Sequence, residues 1–473
     1  MNSYSLIRRF GNQCSIILCL LLIIFLPRVF AGEVYLRQAI KLESQASFQL
    51  AALSFEDSAN RLRWVKGLYE KAAQSAKLAG EDKNAIFLFE TGAKNDGLTP
   101  KGWLNLGDLL LKTGDYKAAI TSWNEVGDGN PESANALIRL AGAYRSMGDI
   151  QKAINTWQEL LRIDPQNDKA HYNLGLILMT WQPIEALPEL MRSVQINRVW
   201  DAQVQVLREG LNLALLQDNL AYQLVVSGQS LASIGEWELA QYAFFHATNI
   251  DVDYSEAWAW LGEAYQHTGK NGLPALKKAL AINQNSSIIL ALNGLYYRRQ
   301  NQIELAWSAY SLAASLEPAN PAWQLVLGDI SAQNGNLIDA LNYYNKAVIL
   351  APQDPSVWRG MAEFCIQYDV DISNQGMNAS LELLKLAPRD WRSLNIMGQV
   401  LMARNDLESA RRYFVAAEEI SPDQAEIYLH LGYLSLLQNK RDEAYKNLSH
   451  AYQLDLKGSI GLQAQRLIDQ YFP

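Results

Sequence analysis

Apolar residues recur at helical spacing along most of the chain. From Pro100 onward, Trp103, Leu106 and Leu110 step by three and four with Gly107 beside them, which puts all four on one helix stripe. Ala119, Trp123 and Val126 repeat the stepping and predict a second helix. Between the two, Gly114 allows a left-handed helix end and Asp115 caps the next start. Pro131 ends the second helix. Sliding Pro100–Pro131 by 34 residues reproduces the pattern. Trp103 falls on Leu137, Leu106 on Leu140, Gly114 on Gly148, Ala119 on Ala153, Trp123 on Trp157 and Pro131 on Pro165. A fixed period of this size means helix pairs stacked in an array. Gly107 sits mid-helix, where Gly costs roughly 0.5–1 kcal/mol against Ala, so close approach of the paired helices is its reason, with Ala119 as the small partner.

In this register, helix pairs begin near residues 66, 100, 134, 168, 221, 255, 287, 321, 355, 391 and 425. The pair at 255 is two residues short around Gly269–Pro274, and the pair at 355 is two residues long around Tyr368–Gly376. The expected organisation is a leader at 1–31, an N-terminal helical segment at 32–65, a first array at 66–198 and a connector at 199–220. A second array at 221–458 and a capping helix at 459–473 follow. The connector carries a helix near 201–216, with Val204, Leu207, Leu211 and Ala214 on one face. In the pair at 168, Pro188 lies past the first turn of its helix and predicts a kink or break.

These motifs resemble the tetratricopeptide repeat. The first-helix pattern W-x2-L-G-x2-Y is carried by Trp258, Leu261, Gly262 and Tyr265, and the second-helix pattern A-x3-F by Ala85/Phe89, Ala240/Phe244 and Ala410/Phe414. Terminal prolines recur in phase at Pro131, Pro165, Pro318, Pro352, Pro388 and Pro422. The resemblance implies an all-α, right-handed α-α superhelix of about eleven helix pairs with a C-terminal capping helix. It also implies a concave groove that binds a protein or peptide partner. The family's carboxylate clamp uses Lys, Asn and Arg on first helices. The equivalent places here hold Glu70, Gln74, Asp108, Asn135 and Arg139, mostly unmatched, so an acidic C-terminal tail is not the expected ligand.

Composition narrows this picture. The chain has 473 residues with 41 Lys+Arg against 49 Asp+Glu, a net charge of −8, which disfavours nucleic acid and anionic membrane surfaces. Arg8 and Arg9, an apolar run at 14–26 and Val29-Phe30-Ala31 read as an export signal. A spanning helix needs about 20 apolar residues, more than this run holds before Pro27 and Arg28 interrupt it; uncleaved, residues 14–26 are a possible membrane tether. The expected location is therefore periplasmic, extracellular or on the outer face of a membrane. Cys14 and Cys19 lie in the leader, which leaves Cys365 alone and excludes an intrachain disulfide in the mature chain.

No catalytic or phosphate-binding motif is present, and Asp251–Ser255 lacks the later positions of a calcium loop. His171, His246, His267, His430 and His450 do not cluster at ligand spacing, and Cys365 reads as a small core residue. The expected function is a non-enzymatic, cofactor-free scaffold in the cell envelope. The alternatives are an enzyme acting on envelope glycans from an unrecognised groove site, or a structural subunit of a membrane-associated complex.

The binding surface follows from helix geometry. Core positions 4, 8 and 11 of each first helix leave positions 5, 9 and 12 about 100° round, on the face that the resemblance turns toward the groove. In the first array these are Leu104, Asp108, Leu111, Ile138, Arg145, Tyr172, Leu176 and Met179. So apolar a patch predicts docking of an apolar partner segment oriented by Asp108 and Arg145. The same places in the second array are more polar, with Glu263, Arg298, Asp329, Arg359, Glu363 and Gln399.

Overall fold

The computed structural model describes residues 26–472, and every regular element among them is helical. The chain forms two compact units, one ending at Ala243 and the other beginning at Phe244. In the first unit α1 (26–44) lies against α2 (Phe48–Arg61). The Ser58 hydroxyl donates to the Gly32 carbonyl at 3.0 Å, and Arg28 donates to the Asn60 carbonyl at 2.9 Å. This pair begins inside the stretch assigned to the leader. Arg8, Arg9 and residues 14–25 of the expected signal or tether lie outside the described residues. No helix among the described residues is long and apolar enough to cross a membrane.

The register pairs follow in order. They are α3 (Leu68–Leu78) with α4 (Asp82–Asn95), α5 (Pro100–Lys112) with α6 (Tyr116–Asn124), α7 (Ser133–Ser146) with α8 (Ile150–Ile163), and α9 (Asp168–Leu178) with α10 (Pro183–Ile196). Next come α11 (Asp201–Ala214), α12 (Leu220–Ser233) and α13 (Trp237–Ile250), inside which the unit boundary falls. The second unit pairs α14 (Ser255–His267) with α15 (Leu273–Ile282), α16 (Ser287–Arg299) with α17 (Ile303–Leu316), and α18 (Pro321–Gln333) with α19 (Leu337–Leu350). It continues with α20 (Pro355–Tyr368) and α21 (Met377–Leu386), α22 (Trp391–Ala403) and α23 (Leu407–Ile420), and α24 (Ala425–Leu437) and α25 (Arg441–Leu454). The capping helix α26 (Ser459–Tyr471) packs on α24 and α25 and buries Ala464. Ten register pairs and a cap are thus present, with α12 and α13 in the register place of the eleventh, and the fold is the all-α repeat solenoid.

One contact explains why the pairs form. The small residue of each first helix lies under a bulky residue of the second. A Cβ added at Gly107 would come within 2.7 Å of Cε2 of the buried Trp123. The same holds for Gly294 under Tyr310, Gly328 under Tyr344, Gly398 under Phe414 and Gly432 under Leu448, each 16 residues apart. The residue opposite the glycine is therefore the large one, four past Ala119, rather than Ala119 itself. Turns follow the predicted chemistry: Gly114 and Gly148 take φ of 86° and 78°, and Asp115 and Asp149 cap the next helices. The two surplus residues of the pair at 355 are absorbed by left-handed Asp369 and Asp371 and a π turn at Ile372–Gly376.

Of the kink or break expected at Pro188, the break does not occur: α10 runs from Pro183 to Ile196 with Pro188 inside it. The carbonyl deprived of its donor belongs to Ile184. The helix expected near 201–216 is α11, Asp201–Ala214. A Cβ on Gly210 of α11 would sit 2.8 Å from Cβ of Ser230, so α11 packs on α12 as closely as a register pair.

Candidate partner-binding groove

Side chains at groove positions of the first unit are largely consumed by the fold. Leu104 and Tyr172 are buried, and Leu176 and Met179 are wholly inaccessible. Leu111 is exposed and Ile138 half-buried. Tyr172 stacks on Trp200 with centroids 4.1 Å apart, and Trp200 donates its indole N–H to Asp168 at 2.9 Å. Arg145 is ion-paired with Glu236, and the Tyr242 ring lies over Gly148. Asp108 accepts two bonds from the Arg139 guanidinium, at 2.6 and 3.0 Å. The expected open apolar patch is therefore corrected. Leu104, Tyr172, Leu176 and Met179 are covered by the chain itself, and Asp108 and Arg145 already hold internal partners. Trp200 covers Tyr172, Glu236 pairs with Arg145, and Tyr242 lies over Gly148. Glu70, one of the clamp-equivalent places, is likewise internal: it accepts from the Thr99 amide at 2.8 Å and the Thr99 hydroxyl at 2.6 Å, fixing the start of α5.

The second unit differs. Its first helices α18, α20, α22 and α24 carry polar groups that the fold leaves partly unspent. Glu363 and Arg392 are exposed and Gln399 half-buried, and none of the three side chains makes a hydrogen bond or ion pair among the described residues. Around them the contacts are long. Arg298 reaches Asp329 at 3.9 Å, and Arg359 reaches Asp390 at 3.6 Å. Partial desolvation by its neighbours raises the Glu363 carboxyl above its ordinary range, with Arg359 and Arg392 acting to lower it. Desolvation raises Glu426 as well, although Asn395 donates to it at 3.0 Å. The Nδ1–H of His430 donates to Asn395 Oδ1 at 2.9 Å, and burial pushes His430 down to about 4. Glu263, by contrast, is spent: Arg299 clamps both its oxygens at 2.7 Å, and its side chain is 4% exposed.

A cavity of about 230 Å³ opens in this groove between α18 and α20. Asp329 and Glu363 stand at it, with the aromatic rings of Tyr344, Phe364 and Tyr368 behind. The groove contacts share a spacing. Asp108–Arg139, Arg298–Asp329, Arg359–Asp390 and Asn395–Glu426 are each 31 residues apart, one repeat less one short helical step. The same offset is visible in the sequence. Elsewhere, no three His, Cys, Asp or Glu side chains among the described residues are placed to hold a metal ion. Cys365 is buried and its thiol is pushed up to about 11, which removes its nucleophilic form near neutral pH.

Family models place the repeat at several points. Models described as tetratricopeptide or TPR repeat match residues 100–125, 141–180, 292–355 and 381–446. The human protein O-mannosyl-transferase TMTC1 is 25% identical over 200 residues, covering 41% of this chain and 22% of that protein. The Arabidopsis thaliana protein CTR9 homolog is 22% identical over 369 residues, covering 71% of this chain and 33% of that protein. The Bos taurus BBSome complex member BBS4 is 21% identical over 320 residues, covering 66% of this chain and 56% of that protein. The chain thus spans between about a fifth and just over half of these relatives. Among solved structures, the APC/C hetero-tetramer Cut9-Hcn1 aligns over 93% of this chain and 96% of that chain, at 14% identity and a TM-score of 0.45. Yeast Tom70 aligns over 78% of this chain and 95% of that chain, at 14% identity and a TM-score of 0.36.

Proposed function

From the premise that this chain is a tetratricopeptide-repeat protein, and so a scaffold of the protein-interaction kind, we propose that it holds an extended segment of a partner protein without catalysing a reaction. The binding surface is the groove of the second unit, along α18, α20, α22 and α24. The observation that carries this is the contrast between the units. In the first, all the groove side chains but Leu111 and Ile138 are buried or paired within the chain, whereas Glu363, Arg392 and Gln399 make no side-chain hydrogen bond or ion pair among the described residues on neighbouring first helices. A peptide laid across them exchanges water for charge-assisted bonds at little ordering cost, because the helices are already fixed. Affinity purification of the full chain from its native host tests this, in parallel with the triple variant Glu363→Ala, Arg392→Ala, Gln399→Ala. The expected result is a partner recovered with the parent chain and lost with the variant, while Leu111→Ser retains it. A partner that stays with the triple variant refutes the site.

The same reading places the scaffold outside the cytoplasm, supported by Arg8, Arg9 and the apolar run at 14–26. Cell fractionation with mass spectrometry of the mature N-terminus checks it. Recovery in the cytoplasm with residues 14–26 intact would reject it.

A further inference from the structure

We propose that the end of the first unit that carries residues 26–34 and 62–66 is seated on a lipid bilayer, which the retained apolar run at 14–26 enters. This rests on residues 14–26 acting as a membrane-targeting segment and is independent of the groove. Three observations meet at this end. First, Leu26, the last residue of the apolar run, already belongs to α1, and the turns that follow are built into the fold. Arg28 donates to the Asn60 carbonyl at 2.9 Å, and a Cβ on the buried Gly32 would meet Leu62 Cγ at 2.5 Å. The Ala31–Gly32 bond, the place where the sequence offers a cleavage site, thus lies inside a helix packed on α2, whereas proteolysis favours exposed loop tips. Second, the outer stripe of α1 is graded. Leu26, Phe30 and Val34, one turn apart, are 62%, 72% and 47% exposed, and Arg37, Gln38 and Lys41 take over beyond them, the order for a helix rising from lipid into water. Third, the loop from α2 to α3 at the same end reads Arg63-Trp64-Val65-Lys66. Trp64 is 59% exposed and makes no hydrogen bond or ring contact among the described residues.

The chain leading into this end sets the occupant. Residues 14–25 carry no charge and one polar side chain, Ser15, so what they enter is lipid. The run is shorter than the about 20 apolar residues of a full span, and the exposed apolar turns of α1 extend its contact at the surface. An exposed Trp flanked by cations suits the headgroup level, where the ring sits at the boundary and Lys or Arg reaches phosphate. Arg61 is paired with Asp57, whereas Arg28, Arg63 and Lys66 have no ion pair among the described residues and are opposed at this end by Glu33 and Asp96.

The test washes membranes of the native host with sodium carbonate, then reconstitutes the full chain in phosphatidylcholine–phosphatidylglycerol vesicles that hold a lipid with a photoactivatable group at headgroup level. The chain is expected in the washed membranes with residues 14–26 attached. Label is expected at residues 26–34 and 62–66, at least fivefold above the turns at 45–47 and 79–81. Those turns close the opposite ends of the same helices, and Gln49 donates to Glu81 beside them at 2.6 Å. Recovery only in a soluble fraction, with Gly32 as the N-terminal residue, overturns the proposal and leaves both the groove and the location outside the cytoplasm standing. A membrane-bound chain whose label spares 26–34 and 62–66 also overturns it, since a protein or water then covers this face. A chain labelled as expected but held on the cytoplasmic face supports the seat and rejects the location alone.

Discussion

Two glycines in neighbouring repeats should respond to the same substitution with opposite sign. Gly107 in α5 and Gly142 in α7 are both inside helices, where replacing Gly by Ala gains about 0.5–1 kcal/mol of backbone entropy. At Gly142 nothing lies within 4 Å of the added Cβ, so that gain stands alone and Gly142→Ala should stabilise by about 0.5–1 kcal/mol. At Gly107 the Cβ would meet Trp123 Cε2 at 2.7 Å. Trp123 is 1% exposed, and its indole N–H donates to the Leu104 carbonyl at 3.3 Å, so the ring cannot retreat without losing that bond. Overpacking of this kind costs about 1–3 kcal/mol, and losing the hydrogen bond adds about 1 kcal/mol. The clash outweighs the entropy gain, and Gly107→Ala should destabilise by about 1–3 kcal/mol. Repeat arrays need not unfold in one step, so hydrogen exchange of α5 to α8 is the assay, alongside urea denaturation of the full chain. Gly107→Ala should speed exchange in α5 and α6, and Gly142→Ala should slow it in α7. Shifts of the same sign at both sites would refute the assigned register and the ring-over-glycine contact behind it.

Further expectations follow from buried polar groups and capping. Asn293 is 2% exposed, neither of its amide atoms finds a partner, and it occupies the register place filled by Leu261 and Leu327, so Asn293→Leu should stabilise by about 1–3 kcal/mol; a lower melting temperature would count against it. His430 has its pKa lowered to about 4, against 6.5 in the unfolded chain. Its contribution is therefore complete above pH 6.5 and is lost as pH falls from 6.5 to about 4, a range worth about 3 kcal/mol at roughly 1.4 kcal/mol per pH unit. Glu363 and Glu426 have raised values and work in the opposite direction, gaining stability as pH falls toward 4.5. His430→Phe should flatten the acid side of the stability profile between pH 6.5 and 4, and an unchanged profile would exclude His430 as its source. Thr99→Ala removes a helix cap and strips a hydroxyl donor from buried Glu70, and should cost about 1–2 kcal/mol, read by denaturation; no loss would contradict the Glu70–Thr99 contact.

Most of the fold was legible because it is local and periodic. The 34-residue register placed ten pairs and the two helices in the place of the eleventh, and the turn glycines and capping aspartates stood where their chemistry required. The cap at 459–473 was legible from one apolar stripe. The groove was harder, because periodicity tells which face a residue occupies and nothing about what crosses that face. Trp200, Glu236 and Tyr242 reach Tyr172, Arg145 and Gly148 from 28 to 94 residues away in sequence, outside any repeat-to-repeat relation. The apolar look of Leu176 and Met179 reflected burial, and the plainer polar set of the second array was the one left open.

Hydrogen exchange of the full chain, with and without the purified native partner, tests the central claim most directly. Contacts along a groove suppress the local openings through which helix amides exchange. The account predicts added protection concentrated in α18, α20, α22 and α24, with little change in α5, α7 and α9. Protection confined to the first unit, or to the second helices α19, α21 and α23, would contradict it.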